Sequence, residues 1–504
     1  MSAPTARVTV DPALIVSPVR PRTFGSFVEH LGRCVYTGIH DPAHPSADAD
    51  GFRQDVIDLV RELGVTTVRY PGGNFVSGYR WEDGVGPKSD RPARLDLAWH
   101  SLEPNQVGTD EFMRWAAKAG VEPMMAVNLG TRGVLEAVDL LDYCNGTAPT
   151  ALADQRRVNG GEQPYGVRMW CLGNEMDGPW QTGHKTAQEY GRIAAEAGRA
   201  MRQVDPTLEL VACGSSGPLM DTFGEWERQV LTECYDQVDY ISIHRYYEEA
   251  DGDLASFLGS AVDMDAFIED VIATADGVRA ALKREKRIKL SFDEWNVWYQ
   301  SRAESIVPSG DDWPIAPPLL EDKYTAADAV VVANLLISLL RHNDRVHAAC
   351  QAQLVNVIAP IVTEPGGRVW KQTIFHPFAQ IAALAKGDVL DIRPTSITFP
   401  TAQHGDIAAV DAVATWDEAT GTGSVLVVNR HPEQATELSV DLSRFGEVRI
   451  TSASTLHAED PYARNSADDP DRVVPVGRED VKLADGVVTL DLPAVSFTAL
   501  AFGR

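Results

Sequence analysis

A strand-like segment followed by a helix-like segment recurs about every 40 residues through most of the chain, close to the repeat length of an eight-fold barrel. The helix-like segment 109–119 starts with Thr-Asp-Glu, a typical helix N-terminus. The strand-like segments are 24–29, 65–70, 122–128, 167–172, 208–213, 240–244, 288–292 and 347–354. These eight pairs predict an α/β fold in which parallel strands close into a (β/α)8 TIM barrel.

The last part of the chain has a different pattern. Beyond Gly387 the helical periodicity is lost, and short alternating segments separated by Gly, Pro and Asp predict an all-β sandwich. Residues 6–17 are also strand-like but have no place in the barrel, so we expect them to join the sandwich. We therefore predict a barrel domain of residues 18–387 and a sandwich domain of residues 1–17 plus 388–504.

Charge and composition exclude several classes of partner. The 45 basic and 72 acidic residues give a formal net charge of −27, which argues against nucleic acid and anionic membranes and favours a neutral ligand. The first residues lack the apolar core of a signal peptide, and no later segment is long and apolar enough to span a bilayer. These observations predict a cytoplasmic location. The six cysteines lack zinc or redox spacing and are expected to be buried hydrophobic residues.

Polar side chains stand at the end of most predicted strands. In a barrel of this type, functional groups gather at the C-terminal ends of the strands, so these residues are the candidates for a site. They are Glu29, Arg69, Asn74, Asn128, Asn174, Glu175, His244, Tyr246, Glu294, Gln353 and Asn356.

Two of these residues, Glu175 and Glu294, form a candidate catalytic pair. Cleavage of a glycosidic bond with retention needs a carboxyl group that protonates the leaving oxygen and a carboxylate that attacks the anomeric carbon. Arg69 and Tyr246 could hold Glu294 ionised, which suits a nucleophile. Glu175 lies beside the apolar side chains of Met176 and Trp180 and faces a negative partner, so we expect a raised pKa and a role as acid and then base.

Each of these residues also has a purely structural interpretation. A strand-end glutamate is often only solvated or salt-bridged, and Arg69 could be a structural ion-pair partner. His244 could be a packed core histidine. The tryptophans at positions 99, 180 and 298 could belong to the core, although Trp beside catalytic carboxylates commonly stacks on sugar rings.

Four segments together resemble the retaining α-L-arabinofuranosidases of glycoside hydrolase family 51, and the resemblance covers essentially the whole chain. They are 69–74 (RYPGGN), 173–180 (GNEMDGPW), 293–298 (DEWNVW) and 353–356 (QLVN). The resemblance implies a barrel with a jelly-roll-like sandwich, Glu175 as acid/base and Glu294 as nucleophile. It also implies cytoplasmic homo-hexamers that release terminal arabinofuranose from arabino-oligosaccharides. We expect no cofactor and no metal.

The same resemblance assigns the substrate-binding residues. Four would hold the arabinofuranose hydroxyls: Glu29, Asn74, Asn174 and Gln353. Arg69 and Tyr246 would flank the nucleophile, and Trp99 and Trp298 would line the leaving-group side. We add His244 as a further candidate for substrate binding. The chain departs from the family at 105–108 and 147–164, which puts the leaving-group preference in question.

Three other functions fit parts of the pattern. Two carboxylates do not identify the sugar, so a β-xylosidase or an endoglucanase on the same fold is the closest alternative. A metal hydrolase is disfavoured because strand one lacks a His-x-His pair and the histidines lack ligand spacing. A non-catalytic carbohydrate-binding protein is disfavoured by the presence of both glutamates.

Overall fold

Eight parallel strands form a closed barrel in this computed structural model, which describes residues 4–504. Neighbouring strands are parallel all the way around, so the predicted barrel is confirmed. From barrel strand one to barrel strand eight, the bounds are Gly25–Phe27, Thr67–Tyr70, Glu122–Val127, Met169–Leu172, Glu209–Cys213, Tyr240–Tyr247, Lys289–Val297 and Val346–Gln351.

Strands six and seven are longer than predicted, and strand seven is irregular. Ser291 pairs with Ser242 of strand six, but the next pair, Glu294 with His244, has slipped by one residue. Strand seven carries the same extra residue against strand eight, between Phe292 and Trp295. A β-bulge of this kind interrupts the in-and-out alternation of side chains. Consecutive residues at positions 293 and 294 can therefore both face the barrel interior.

Helices surround the barrel, and their apolar faces are buried against it. Several helices begin with a capping box, such as Thr186 with Glu189, which satisfies the free backbone N–H groups of the first turn. The helices are Gln54–Leu63, Thr109–Ala119, Val134–Asn145, Ala151–Val158, Ala187–Val204, Glu225–Cys234, Leu254–Leu258, Ser260–Ala281, Ala326–Arg341 and Phe375–Leu384. Among residues 4–504, none of them combines the length and apolar character that crossing a membrane requires.

The C-terminal part packs two sheets around an apolar core that includes Val8, Val425 and Leu490. The seven-stranded sheet has the order Ile15–Pro18, Asp388–Leu390, Val410–Asp417, Thr422–Asn429, Ser496–Gly503, Arg449–His457 and Val476–Gly477. The four-stranded sheet has the order Thr5–Thr9, Thr436–Asp441, Val487–Leu492 and Lys482–Ala484. The predicted all-β part is therefore present.

Both N-terminal strands pair with this sandwich and not with the barrel. Thr5–Thr9 runs parallel to Thr436–Asp441, and Ile15–Pro18 is antiparallel to Asp388–Leu390. Residues 1–3 of the predicted segment 1–17 lie outside the described residues. The domain boundaries at 17/18 and 387/388 stay a prediction.

Three short hairpins lie outside the barrel sheet and the two sandwich sheets. They are Arg94–Asp96 with Ser101–Glu103, Ile361–Thr363 with Val369–Lys371, and Thr398–Thr401 with Gly405–Ala408. The first of them lies between barrel strands two and three and carries Trp99 at its turn. It thereby brings an aromatic side chain to the C-terminal end of the barrel.

A buried polar cluster joins helix Ala326–Arg341 to the sandwich. Asn334 Nδ2 donates to Asp411 Oδ2 at 2.7 Å, and Arg341 also donates to Asp411. Arg430 Nη1 donates to Asn334 Oδ1 at 3.1 Å. Asp411 is 8% exposed and lies 3.8 Å from Arg430 Nη1, so it is the buried counter-charge of Arg430. Arg341, whose side chain is 33% exposed, is also paired with Asp265 at 2.6 Å.

We predict that Asp411→Ala destabilises the protein by about 3 kcal/mol, because it leaves the buried Arg430 without its counter-charge. Denaturant unfolding measures the change. Asp391→Ala is the matched control, since Asp391 and its partner Arg393 are 50% and 88% exposed, and it should cost less than about 1 kcal/mol. Equal effects of the two substitutions would contradict the role given to Asp411.

Candidate active site

Glu294 projects from strand seven and is held at both carboxylate oxygens. Arg69 Nη1, from strand two, donates to Oε1 at 2.7 Å, and the Tyr246 hydroxyl, from strand six, donates to Oε2 at 2.8 Å. Arg69 is 1% exposed and Glu294 6% exposed, so this is a buried ion pair. Both donors favour the ionised carboxylate. A fixed, ionised and partly accessible carboxylate is suited to nucleophilic attack.

Glu175 follows strand four in a left-handed backbone conformation, with φ +42°. Few non-glycine residues adopt this conformation, and it is common at functional sites. His244 Nδ1 lies 2.9 Å from Glu175 Oε1, and the indole N–H of Trp180 donates to Oε2 at 2.7 Å. Trp180 is therefore a hydrogen-bond donor to Glu175 and not merely an apolar neighbour. Its side chain is 51% exposed, so the approach to Glu175 is open on this side.

Burial is the main reason that the pKa of Glu175 is raised above its ordinary value, and the charge of Glu294 acts in the same direction. The hydrogen bonds from His244 and Trp180 oppose the shift. A carboxyl group whose pKa is raised retains its proton closer to neutral pH, which a general acid requires.

The separation of the two carboxyl groups indicates the kind of reaction. One carboxylate oxygen of Glu175 and one of Glu294 lie within 4.8 Å of each other. Retaining glycosidases place the two carboxyl groups about 5–5.5 Å apart, whereas inverting enzymes leave about 6.5–9.5 Å for a water molecule. The short separation suits direct attack by one carboxylate while the other protonates the leaving group.

His244 connects Glu175 to a further buried carboxylate. Its Nε2 lies 3.0 Å from Asp293 Oδ1, and its Nδ1 also lies 3.6 Å from Glu294 Oε2. Burial alone would lower the pKa of His244, but the charge of Glu294 and the hydrogen bonds with Asp293 and Glu175 raise it to about 10. The ring is then an imidazolium that donates on both sides and has no lone pair to offer a metal ion. We interpret the group of Glu175, His244 and Glu294 as an acid–base centre.

Glu29, which follows strand one, accepts three N–H groups. Phe75 N and Trp99 Nε1 each donate to Oε1 at 2.9 Å, and Gln353 Nε2 donates to Oε2 at 3.0 Å. Burial nevertheless raises the pKa of Glu29 to about 8. Gly73 must be a glycine, because a Cβ there would lie 2.3 Å from Glu29 Oε2. The motif Pro-Gly-Gly-Asn at 71–74 thus makes room for this carboxyl group.

The remaining candidates lie around these residues. Arg69 Nη2 donates to Asn174 Oδ1 at 2.6 Å, and Asn174 Nδ2 donates to Asn74 Oδ1 at 3.2 Å. The Trp298 ring lies edge-on to Tyr246, with ring centroids 5.0 Å apart. These contacts join eight of the eleven predicted catalytic and substrate-binding residues into one network. Glu29, Trp99 and Gln353 form a second group, which meets the first where Phe75, the residue after Asn74, donates to Glu29.

Two strand-end amides have structural positions instead. Asn128 caps its own loop, since its Oδ1 accepts from the backbone N–H of Gly130 and of Thr131. Asn356 Nδ2 donates to Arg33 O and Thr363 Oγ1. Neither was assigned a role in binding. Standing at a strand end is thus not sufficient to place a side chain in the site.

The sequence analysis missed Asp293 and Gln181. Gln181 Nε2 donates to Asn74 O at 3.4 Å, and its Oε1 accepts from Asn174 at 3.4 Å, so it supports both asparagines. Asp293 lies beside the predicted nucleophile in the sequence, and that acidic pair was the available signal. Strand alternation would have turned one member of the pair away from the barrel interior.

We predict that Glu29→Gln changes the pH dependence of stability. Folded protein retains a proton on Glu29 up to about pH 8, whereas the ordinary pKa is 4.5. Wild type therefore loses stability relative to the variant as the pH rises from 4.5 to 8, by on the order of a few kcal/mol. The new amide can be accommodated, because Gln353 has a free Oε1 to turn towards it.

Thermal unfolding across that pH range measures the difference between wild type and Glu29→Gln. Glu196→Gln is the control, because Glu196 is an exposed helix residue, and its difference from wild type should not vary with pH. A difference for Glu29→Gln that is the same at low and high pH would show that its carboxyl group is ionised normally.

The sequence and the structure both match known α-L-arabinofuranosidases. The family model of the α-L-arabinofuranosidase 1 domain matches residues 59–266, and that of the α-L-arabinofuranosidase C-terminal domain matches residues 293–496. An intracellular exo-α-(1→5)-L-arabinofuranosidase of Streptomyces lividans is 58% identical over 98% of this chain and 75% of its own length. An exo-α-(1→6)-L-arabinofuranosidase of Bifidobacterium longum is 54% identical over 98% of this chain and 97% of its own length.

Among solved structures, AbfB, a family 51 α-L-arabinofuranosidase of Bifidobacterium longum, superposes with a TM-score of 0.96. It is 50% identical to this chain, and the match covers 99% of this chain and all of AbfB. An arabinose complex of the Thermotoga maritima α-L-arabinofuranosidase gives a TM-score of 0.88 at 32% identity, over 99% of both chains. From this sequence identity, structural similarity and coverage, the chain belongs to the α-L-arabinofuranosidases of glycoside hydrolase family 51.

Proposed function

We propose that the protein is an exo-acting α-L-arabinofuranosidase that releases terminal non-reducing arabinofuranose from arabino-oligosaccharides with retention of configuration. The observation that carries this proposal is the pair of carboxyl groups, one bound at both oxygens by Arg69 and Tyr246 and the other with a raised pKa, with oxygens within 4.8 Å. The relatives named above support the choice of sugar, because their names describe arabinofuranosidases.

In the first half-reaction, the Glu294 carboxylate attacks the anomeric carbon while the bond to the leaving oxygen breaks. Glu175 transfers its proton to that oxygen, so the leaving group departs as a neutral alcohol. Arg69 and Tyr246 orient Glu294 for the attack. Their hydrogen bonds use the same carboxylate electrons as the forming bond. Because both donors are already in position, the reaction avoids the cost of reorganising water.

In the second half-reaction, Glu175 becomes the base. Once Glu294 is esterified, its negative charge no longer raises the pKa of Glu175, and the hydrogen bonds from His244 and Trp180 now favour the carboxylate. Glu175 takes a proton from water, the resulting hydroxide attacks the anomeric carbon, and the bond to Glu294 breaks. Two inversions at one carbon give net retention.

We propose that a single terminal sugar residue binds beside the two glutamates. We propose that Glu29, Asn74, Asn174 and Gln353 bind its hydroxyl groups, and each presents an oxygen or a nitrogen within the network described above. Their burial favours a single terminal residue over a chain passing through. Trp99, Trp298 and the exposed Trp180 are available to the leaving group, since aromatic rings stack on sugar faces.

We also propose an intracellular location and a homo-hexameric assembly. The Streptomyces lividans relative and others are named intracellular enzymes, and an enzyme inside the cell would act on short imported oligosaccharides. The hexamer rests on resemblance to the family alone. Light scattering on the purified protein tests it, and any mass other than six chains would overturn that assembly.

We predict that Glu294→Ala abolishes turnover of all arabinofuranosides, because no other carboxylate can form the covalent intermediate. Glu175→Ala should slow substrates with poor leaving groups by about 10²–10⁴-fold and have little effect on bond cleavage in aryl substrates with acidic phenols. Initial rates on an aryl series measure both effects. Glu196→Ala, an exposed substitution on a barrel helix, should retain wild-type rates. Wild-type rates of either active-site variant on a natural arabinoside would refute the mechanism.

Product analysis tests the stereochemistry and the sugar independently. Proton NMR of the first-formed product should show the same anomeric configuration as the substrate, because two displacements occur at one carbon. An inverted first product would overturn the double displacement. Faster hydrolysis of an aryl β-xyloside than of an aryl α-L-arabinofuranoside would instead point to a β-xylosidase, and release from oligosaccharides of defined linkage would identify the preferred bond.

A further inference from the structure

Asp293 is a third carboxyl group in the centre, and it does not face the sugar. Its side chain is completely buried. Oδ1 lies 3.0 Å from His244 Nε2, and Oδ2 lies 3.9 Å from Arg69 Nε and 3.7 Å from the Cys171 thiol. Asp293 therefore contacts Arg69 and His244, the two cations near the catalytic pair, on the side away from Glu294 and Glu175.

Asp293 is ionised although it is buried. Burial alone would raise the pKa of Asp293, but the charges of Arg69 and His244 and the His244 hydrogen bond outweigh it and lower that pKa. Arg69 Nε has no hydrogen-bond partner, and its ion-pair contact is Asp293 Oδ2 at 3.9 Å. Ion pairs this deeply buried require close compensation of charge.

The other ionisable groups around Asp293 are neutral. Burial raises the pKa of Cys213 to about 12, and it also raises the pKa values of the Cys171 and Cys350 thiols and of the Tyr246 hydroxyl well above neutrality. Glu29, with a pKa of about 8, is neutral at pH 7. The charged groups joined by direct contacts are thus Arg69, His244, Asp293, Glu294 and, when it has lost its proton, Glu175. Asp177 also interacts electrostatically with His244, but it is hydrogen-bonded to Ser216 and forms no ion pair with this set.

The formal charge of this set is the same at both stages of the proposed reaction. Before attack, Arg69 and His244 are positive, Asp293 and Glu294 are negative, and Glu175 is protonated, so the sum is zero. In the glycosyl-enzyme, Glu294 is an uncharged ester and Glu175 has given up its proton, so the sum is again zero. Without Asp293 it would be +1 at both stages. A net charge in a buried site costs several kcal/mol or forces a proton to leave.

We propose that Asp293 is a positioning residue that holds His244 doubly protonated and aimed at Glu175, and so keeps the buried centre electrically neutral through both half-reactions. This inference rests on the proposed double displacement. Asp293 exerts its effect through His244 and Arg69, and it touches no reacting atom.

The isosteric variant Asp293→Asn tests the proposal. Removing one negative charge favours proton loss from Glu175 and from His244, so the basic limb of the kcat/KM pH profile should move to lower pH by about one unit or more. Rates near the acidic end of the profile should fall less than rates at pH 8, where the loss should exceed tenfold relative to wild type. A purely structural role would lower the rate by the same factor at every pH and leave the limb in place, and that result would overturn the proposal.

Ser291→Ala is the matched control. Ser291 lies on the same strand, is completely buried, and has a hydroxyl without a hydrogen-bond partner. Its substitution changes a buried polar side chain without removing a charge, so the basic limb should remain where it is in wild type. A limb that moves equally in both variants would count against a charge effect.

A spectroscopic measurement on the wild-type protein tests the protonation of His244 directly and needs a variant only to assign the signal. In histidine-selective ¹⁵N NMR, the His244 ring, assigned by its loss in His244→Asn, should carry a proton on both nitrogens at pH 8. A neutral ring at pH 8 would overturn the proposal. If wild type cleaved no arabinofuranoside at all, the proposed function would be wrong. The NMR result would still decide whether the His244 ring beside Asp293 is an imidazolium.

Discussion

The arrangement of the site depends on one buried cation. Arg69 extends from strand two and joins two other parts of the barrel: strand seven, through Glu294 and Asp293, and the segment after strand four, through Asn174. A guanidinium group is planar and carries its donors in a fixed fork, so each contact constrains the others. Because Arg69 is buried, its charge acts in a medium of low dielectric constant. The position of Glu294, the ionisation of Asp293 and the placement of Asn174 therefore all depend on Arg69.

Near this cation, two chemically identical side chains acquire different properties from their surroundings. Glu294 receives hydrogen bonds from Arg69 and Tyr246. Glu175 is hydrogen-bonded to His244 and Trp180 instead, and its pKa is raised. Strands four and seven deliver the two groups from opposite parts of the barrel wall. The rigid closed sheet keeps their oxygens within 4.8 Å. A double displacement requires two glutamates that lie a fixed distance apart and differ in pKa because their environments differ.

Much of this was predictable from sequence because the signals are local. Period-two and period-3.6 patterns located all eight strands and the main helices. Because a barrel collects its strand ends at one face, Glu175 and Glu294 could be paired from the sequence alone. Contacts between distant segments were not predictable in the same way. The hydrogen bond from Trp180 to Glu175 depends on the turn after strand four, and the support that Gln181 gives to Asn74 depends on how two loops meet. Helix Ala151–Val158 was also missed, within a segment that departs from the family pattern.

The extra residue in strand seven has a consequence for anyone who wishes to transplant this site. Asp293 and Glu294 are adjacent in the sequence yet both point inward, and only the local slip in pairing against both neighbouring strands permits that. A designer who copied the same letters onto a regular strand of an idealised scaffold would send one of the two carboxylates outward, among the apolar side chains of the surrounding helices. A transplanted site must therefore include the β-bulge of strand seven as well as the two residues.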